Sequence, residues 1–105
     1  MNSTLATKEN VRVGTIITFA YQYAARHPKF ARVIKRTPAS VKIEMLGRII
    51  VSHDGYGQNG TCIADLVSEP QSVNKSFRFD SRGYLTINKC LCHIYEGFEE
   101  DFYTD

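Results

Sequence analysis

The chain has 105 residues, of which 43% are hydrophobic and 23% charged, and its formal net charge is +2. This length fits one domain with its own core, and this composition excludes a disordered chain and a fibrous repeat. The polar start MNSTLATKEN lacks the apolar core of a signal peptide, and no apolar run is long enough to span a bilayer. We therefore expect one cytoplasmic domain over 1–105 without membrane contact, with a flexible amino terminus at 1–10 and an acidic, aromatic tail at 96–105.

The first half of the chain shows the two-residue period of half-buried strands. Large residues fall on the odd positions from Val13 to Tyr23, and smaller ones fall mostly on the even positions. Pro28 lacks a backbone donor and disfavours helical geometry in the residue before it, which predicts a turn at 24–28. Two further strands are predicted at 29–36 and 41–45, with a turn between them at 37–40.

The second half also predicts short strands separated by turns. Its expected elements are a strand at 47–51, a loop at 52–60, a strand or short helix at 61–67, a surface loop at 68–76, and two strands around a turn at 80–83. A change of parity between Ile87 and Cys90 predicts a bulge near Asn88 and Lys89. Five to six strands in a chain of this length predict a mainly β fold, either a small barrel or a strongly bent antiparallel sheet.

Charge is distributed unevenly along the sequence. Residues 26–48 carry seven Lys and Arg against one acid, Glu44, whereas residues 96–105 carry five acids and no base. Nucleic-acid-binding barrels combine basic side chains with exposed aromatic ones. The candidate nucleic-acid-binding residues are therefore Arg32, Lys35, Arg36 and Lys42. Because the neighbouring aromatic residues fall on the predicted core face, a solvated basic face and an acidic protein partner stay open as alternatives.

The tail EGFEEDFYTD mixes acids with aromatic residues, a composition that suits docking onto a basic, apolar groove. The candidate partner-binding residues are Phe98, Glu99, Glu100, Asp101, Phe102 and Tyr103. A tail that only keeps the protein soluble, or that folds back onto the basic strands of the same chain, stays open as well.

Three cysteines, Cys62, Cys90 and Cys92, do not form an even disulfide framework and are expected to be free thiols. Cys90-Leu91-Cys92-His93 has residue types that bind zinc, but strand alternation places His93 opposite the two thiols, so buried thiols and no metal are predicted. A cysteine nucleophile would need a pocket that joins Cys62 or Cys90 to a histidine. Cys62, His53 and Asp65 or Asp54 match no known signature, so no catalytic residue and no cofactor are assigned.

Two stretches resemble a known family. VRVGTIITFAYQYAARHPKFARVIKRTPASVKI, residues 11–43, is similar to the amino-terminal half of small, mostly uncharacterised proteins of bacteriophages and other bacterial mobile elements, and GYLTINKCLCHIYEG, residues 83–97, is similar to their last strand. The resemblance implies an SH3-like small barrel and assigns no activity or catalytic residues. The sequence departs from the family at Thr15, where an acid is usual.

This context leads to an expected function without catalysis. Phage proteins of this size often work by binding, so we expect an inhibitor or modulator of a bacterial host protein, such as a CRISPR or restriction component, in the host cytoplasm. The alternative is nucleic-acid binding through the basic strands at 29–48. An unprotected edge strand would also allow a homodimer.

Overall fold

A computed structural model describes residues 4–22, 26–53, 55, 59–70 and 75–103 of the chain. Within these ranges the protein has ten strands and no helix. The strands are β1 Ile16–Gln22, β2 Arg26–Arg36, β3 Ser40–Leu46, β4 Arg48–His53, β5 Asn59–Ala64, β6 Lys75–Arg78, β7 Thr86–Ile87, β8 Cys90–Leu91, β9 His93–Ile94 and β10 Glu100–Tyr103.

Eight of these strands form one antiparallel sheet. Its main path runs β4-β5-β10-β2-β1-β9, while β3 pairs with β2 and with β6, and β7 and β8 form a separate hairpin. In the described ranges, the end strands β4 and β9 do not pair with each other, so the path is not closed into a barrel. The prediction of a mainly β, antiparallel fold is confirmed, whereas the count of five to six strands is wrong. Ten strands arise because the predicted last strand is divided and the acidic tail adds β10.

The strand predicted from Val13 begins three residues later. A turn precedes β1, in which the Thr15 amide donates to the Arg12 carbonyl at 3.0 Å and Gly14 has a φ of 94°. Val13 lies in this turn and is 65% exposed, not buried as the alternation predicts. From Ile17 onward the odd positions that the structure describes do face the core, including Phe19.

The predicted turn at 24–28 is wrong in its second part, because β2 already begins at Arg26 and contains Pro28. On one side, Pro28 lies opposite Ala20 of β1. On the other side, β10 reaches β2 only at Arg26, and β3 begins to pair only at Phe30. On that side of β2, no strand of the described ranges pairs at Pro28. A residue without a backbone donor is therefore tolerated there.

The predicted bulge at Asn88 and Lys89 is instead a two-residue hairpin turn. Ile87 pairs with Cys90, and both intervening residues have positive φ, 52° at Asn88 and 67° at Lys89. Positive φ at both central positions defines the primed turn that matches the twist of a hairpin. The parity change that suggested a bulge is thus produced by a reversal of the chain.

Residues 4–10, expected above to be part of a flexible terminus, pack along the far edge of β9. The Ala6 amide donates to the Cys92 carbonyl at 2.9 Å, and the Ala6 carbonyl accepts from the Leu85 amide at 3.0 Å. Leu5 forms a bridge with His93, and Ala6 is fully buried. This segment therefore extends the sheet by isolated bridges without forming a strand of its own.

Two apolar clusters lie on opposite faces of β2, because neighbouring residues of a strand point to opposite sides. The larger cluster consists of Ala6, Val11, Ile17, Phe19, Ala31, Val33, Val41, Ile43, Phe79, Leu85, Ile87 and Cys92. The smaller cluster consists of Phe30, Leu46, Cys62, Ala64 and Phe102. We call β4, β5 and β10 the wing. β5 contributes Cys62 and Ala64 to this cluster, β10 contributes Phe102, and β4 pairs with the outer side of β5.

Candidate binding surface

The acidic tail is built into the sheet as β10, between β5 and β2. Its strand alternation sends Glu100 and Phe102 to one side and Asp101 and Tyr103 to the other. Phe102 is only 4% exposed and belongs to the smaller cluster, so its ring is not available at the surface. Glu100 forms an ion pair with Arg26 at 3.5 Å. The fold-back of the tail onto the chain's own basic strand, one of the open alternatives, is the arrangement in the structure.

The other tail residues that the structure describes, 96–99, 101 and 103, are accessible. Phe98 and Tyr103 are among the exposed large side chains, and Glu99 and Asp101 are exposed as well. Glu99 Oε1 accepts a hydrogen bond from the Thr61 hydroxyl at 3.1 Å, and that hydroxyl lies 2.8 Å from Ser52 Oγ. Four of the six predicted partner-binding residues are therefore surface groups.

The four predicted nucleic-acid-binding residues do not form one free basic patch. Arg32 forms an ion pair with Glu44 at 2.9 Å. Arg36 donates to the carbonyls of Val11 and Lys8, at 3.1 and 2.7 Å, and its guanidinium lies 4.5 Å from the Phe79 ring centre.

Lys35 and Lys42 are placed differently from the two arginines. They lie directly opposite each other on β2 and β3, where two like charges repel. Phe30, one of the neighbouring aromatic residues assigned to the predicted core face, is buried in the smaller cluster. The side chains of the other two, Tyr21 and Tyr23, lie outside the described part of the structure.

An exposed apolar edge strand, β4, was not singled out in the sequence. All six of its residues are exposed, including Ile49 at 45%, Ile50 at 43% and Val51 at 49%. The turn after β5 brings two more exposed apolar residues, Leu66 and Val67, next to the start of β4, because the Asp65 amide donates to the Gly47 carbonyl at 2.9 Å. The sequence signal was the continuous β-branched run IIV, which resembles a buried strand as much as an exposed one.

The other two edges of the sheet are protected. At β9, the Ile94 amide donates to the Thr4 carbonyl at 2.8 Å, so the amino-terminal segment covers that edge. β6 is four residues long and carries two exposed charged residues, Lys75 and Arg78, which discourage pairing with another strand. β4 has one exposed charge at its first residue, Arg48, and a bulge at Val51, and in the described ranges no strand or segment pairs with its outer side.

One face of the wing combines this apolar edge with carboxylates. Cross-strand partners share a face, and the register pairs Ile49 with Ile63 and Ser52 with Thr61 on β4 and β5. Thr61 in turn lies opposite Asp101 of β10. The outer face of the wing therefore runs from an isoleucine pair at the edge to an exposed carboxylate two strands away.

The three cysteines lie in two environments. Cys62 and Cys92 are buried in the smaller and the larger cluster. Burial raises the pKa of the Cys62 thiol, and burial together with the neighbouring Cys90 raises the pKa of Cys92 to about 12. Cys90 is half-buried, and its thiol donates to the Asn88 carbonyl at 3.7 Å. The buried thiols are therefore poor nucleophiles, since the thiolate is the reactive form.

The residues considered for a metal site or a cysteine nucleophile lie mostly apart from one another. In the described ranges no three His, Cys, Asp or Glu side chains come together as metal ligands. Cys62 faces the smaller cluster, whereas His53 is exposed and its Nδ1 accepts from the Gly55 amide at 3.1 Å. Asp65 accepts from the amides of its own turn, at residues 67 and 68, and Asp54 lies outside the described residues. Cys90 and His93, by contrast, line one cavity.

Comparisons with known proteins add no identification. No protein-family model, no curated protein and no solved structure matches this chain. No helix in the described ranges has the length and apolar character needed to cross a bilayer.

Proposed function

We propose that this protein is a non-enzymatic binding module that takes an extended segment of another protein onto the edge of β4. The observation that carries the proposal is the contrast between this uncovered apolar edge and the two protected ones. A strand added at an edge gains main-chain hydrogen bonds, and pockets for its alternate side chains provide selectivity. Large exposed apolar patches on small proteins mark such interaction sites.

The wing also favours a particular partner chemistry. Isoleucines on β4 would contact apolar side chains of the added segment, and the exposed carboxylates of Glu99 and Asp101 would attract basic ones. Electrostatic complementarity of this kind speeds encounter and selects among partners. The expected partner segment is therefore extended, apolar on one side and carries Lys or Arg.

The biological setting rests on the resemblance of both ends of the chain to small phage proteins. It supports a bacterial host protein as the target, met in the host cytoplasm, with inhibition or modulation of a defence component such as CRISPR or restriction machinery as the result. A distant relationship to SH3-like folds, in an open sheet and not a closed barrel, is part of the same proposal.

The test is a pull-down from bacterial lysate, with and without nuclease, using the tagged protein and two single variants. Ile49→Lys places a charge on the β4 edge, and Val13→Lys makes the same chemical change at an exposed position outside the wing. The proposal expects one host protein retained after nuclease by the wild type and by Val13→Lys, and lost with Ile49→Lys. Equal retention by both variants would remove β4 as the binding site.

Two other outcomes would overturn the proposal in defined ways. Capture of nucleic acid that weakens steeply with salt and requires Lys35 and Lys42 would establish the alternative function. If an untagged copy co-expressed with the tagged chain is retained without any host protein, and Ile49→Lys abolishes that retention, β4 is a homodimer interface instead of a host-protein site.

A further inference from the structure

A second candidate site lies away from β4, in a cavity of about 300 Å³. It opens between β1, β9 and β10 and is bordered by the β7–β8 hairpin. Its lining residues are Thr18, Phe19, Ala20, Arg26, Lys89, Cys90, Leu91, His93 and Glu100. The volume is at the lower end of the range found for small-molecule sites. No residue of β4 contributes to it, so it is independent of the surface proposed above.

Two of the residues that line this cavity, Thr18 and His93, each have a buried polar atom without a hydrogen-bond partner among the described residues. Thr18 Oγ1 and His93 Nδ1 are both buried, and no described residue donates to or accepts from either atom. Thr18 is only 6% exposed, and it lies directly opposite His93 in the pairing of β1 with β9. Buried polar groups without a partner are rare in folded proteins, because each has lost its hydrogen bonds to water without replacing them. Two of them side by side, from adjacent strands, indicate a site that a polar ligand completes.

The charges around the cavity favour an anion. Arg26 and Glu100 neutralise each other at 3.5 Å, and Arg26 also donates to the Asp101 carbonyl. Lys89 remains: no carboxylate of the described residues forms an ion pair with it. The hairpin turn, with its positive φ, fixes Lys89 at the cavity wall. The local excess is therefore one positive charge beside two unpaired polar atoms.

We infer that this cavity binds a small molecule bearing a carboxylate or phosphate oxyanion. Lys89 supplies the opposite charge, the Thr18 hydroxyl donates to an anion oxygen, and His93 contributes a second hydrogen bond. Phe19, Ala20 and Leu91 form the apolar wall beside the anion. A carboxylate and a phosphate share the acceptor chemistry that these groups recognise, and the experiment distinguishes the two.

The test is a titration of the full chain with sodium phosphate and, separately, sodium acetate, against sodium chloride at equal ionic strength and constant pH. Amide chemical shifts of Thr18, Lys89 and His93 report binding. Saturable shifts with phosphate or acetate and none with chloride are expected. Thr18→Val, which keeps the shape and removes the hydroxyl, should weaken binding by roughly tenfold or more, whereas Thr18→Ser should retain it.

Two controls keep the result specific. Lys89→Ala should also weaken binding by about tenfold, whereas Lys35→Ala, an exposed lysine outside the cavity, should leave it unchanged. Ligand-free Thr18→Val should melt at a higher temperature than the wild type, because an unpaired buried hydroxyl is removed. The inference is overturned if neither anion gives saturable shifts, or if Thr18→Val binds as tightly as the wild type.

Discussion

The two apolar clusters of this protein differ in size and in how completely they are enclosed. The larger one contains twelve buried residues of the described ranges and is bounded by β1, β2, β3, the amino-terminal segment and the β7–β8 hairpin. The smaller one contains five, and it is covered by the wing strands β5 and β10, with Ile16 and Tyr95 packed against it. Two strands supply residues to both clusters: β2 through Val33 and Phe30, and β3 through Ile43 and Leu46.

This difference assigns most of the stability to the larger cluster and the proposed binding to the wing. The larger cluster is surrounded by strands and segments whose outer edges are covered or charged. The wing buries little apolar surface of its own and leaves β4 uncovered. Regions with fewer buried contacts open more readily and are where partners commonly bind. The comparison therefore predicts that substitutions in the wing change binding and local opening before they change the rest of the fold.

The largest effect is expected for Phe30→Ala. It removes the central ring of the smaller cluster, which packs edge-to-face against Tyr95 with centroids 5.0 Å apart. Such a substitution costs about 3–5 kcal/mol of unfolding free energy. Cys62 and Cys92 are natural reporters of the two clusters, so thiol labelling under native conditions should become faster at Cys62 and stay slow at Cys92. Equal acceleration at both thiols would show that the two clusters open as one unit.

A smaller loss of unfolding free energy is expected for Gly60→Ala, which weakens the pairing of β4 with β5. An added Cβ at Gly60 would collide with the Ser52 carbonyl oxygen on β4. Relieving such a clash by backbone shifts costs roughly 1–3 kcal/mol. Chemical denaturation should show this loss, and capture of the host protein should fall with it because β4 moves. Unchanged stability and capture would mean that β4 is not held against β5 at this point.

A modest gain in stability is expected for Lys89→Gly, in the turn of the β7–β8 hairpin that borders the larger cluster. A non-glycine residue in the left-handed region costs roughly 1–2 kcal/mol, and Asn-Gly is the preferred pair for a two-residue hairpin of this type. Part of that gain is offset by the greater freedom of glycine in the unfolded chain. Denaturation should therefore show about 1 kcal/mol of added stability. A loss would contradict the hairpin turn at Asn88 and Lys89.

The smallest effect is expected for the ion pair between Arg32 and Glu44, which borders the smaller cluster. Its side chains are 34% and 18% exposed, so solvent screens much of the attraction. A double-mutant cycle with alanine at both positions should give a coupling free energy of about 0.2–1 kcal/mol. A coupling well above this range would show that charge, and not apolar burial, holds β2 and β3 together beside the smaller cluster.

Much of the fold was predictable because alternation is a local signal. The strands at 29–36 and 41–45 follow from it, as does the turn at 80–83, where the Gly83 amide donates to the Asp80 carbonyl at 2.9 Å. The turn at Pro28 followed from arguments against a helix, and those arguments do not consider a strand position where one side has no paired neighbour and the missing backbone donor is not needed. The hairpin at Asn88 was taken for a bulge because Lys89 replaces the glycine that normally marks such a turn.

The sites were harder to predict because they depend on contacts between distant parts of the chain. The alternation of Glu100 and Phe102 with Asp101 and Tyr103 is typical of a strand, but the acidic composition suggested a solvated tail. Nothing local to β4 shows that its outer side is left without a partner. Thr18, Lys89 and His93 come from three separate elements, and only the fold brings them to one cavity.

The central claim is that β4 receives the partner, and hydrogen exchange measures this most directly. Amide exchange of the protein alone is compared with exchange in the presence of the captured host protein at saturation. If β4 receives the partner segment, its amides exchange markedly more slowly on binding, whereas those of the charged edge strand β6 do not change. Unchanged β4 amides, with slower exchange at β6 or along the basic strands β2 and β3, would contradict it.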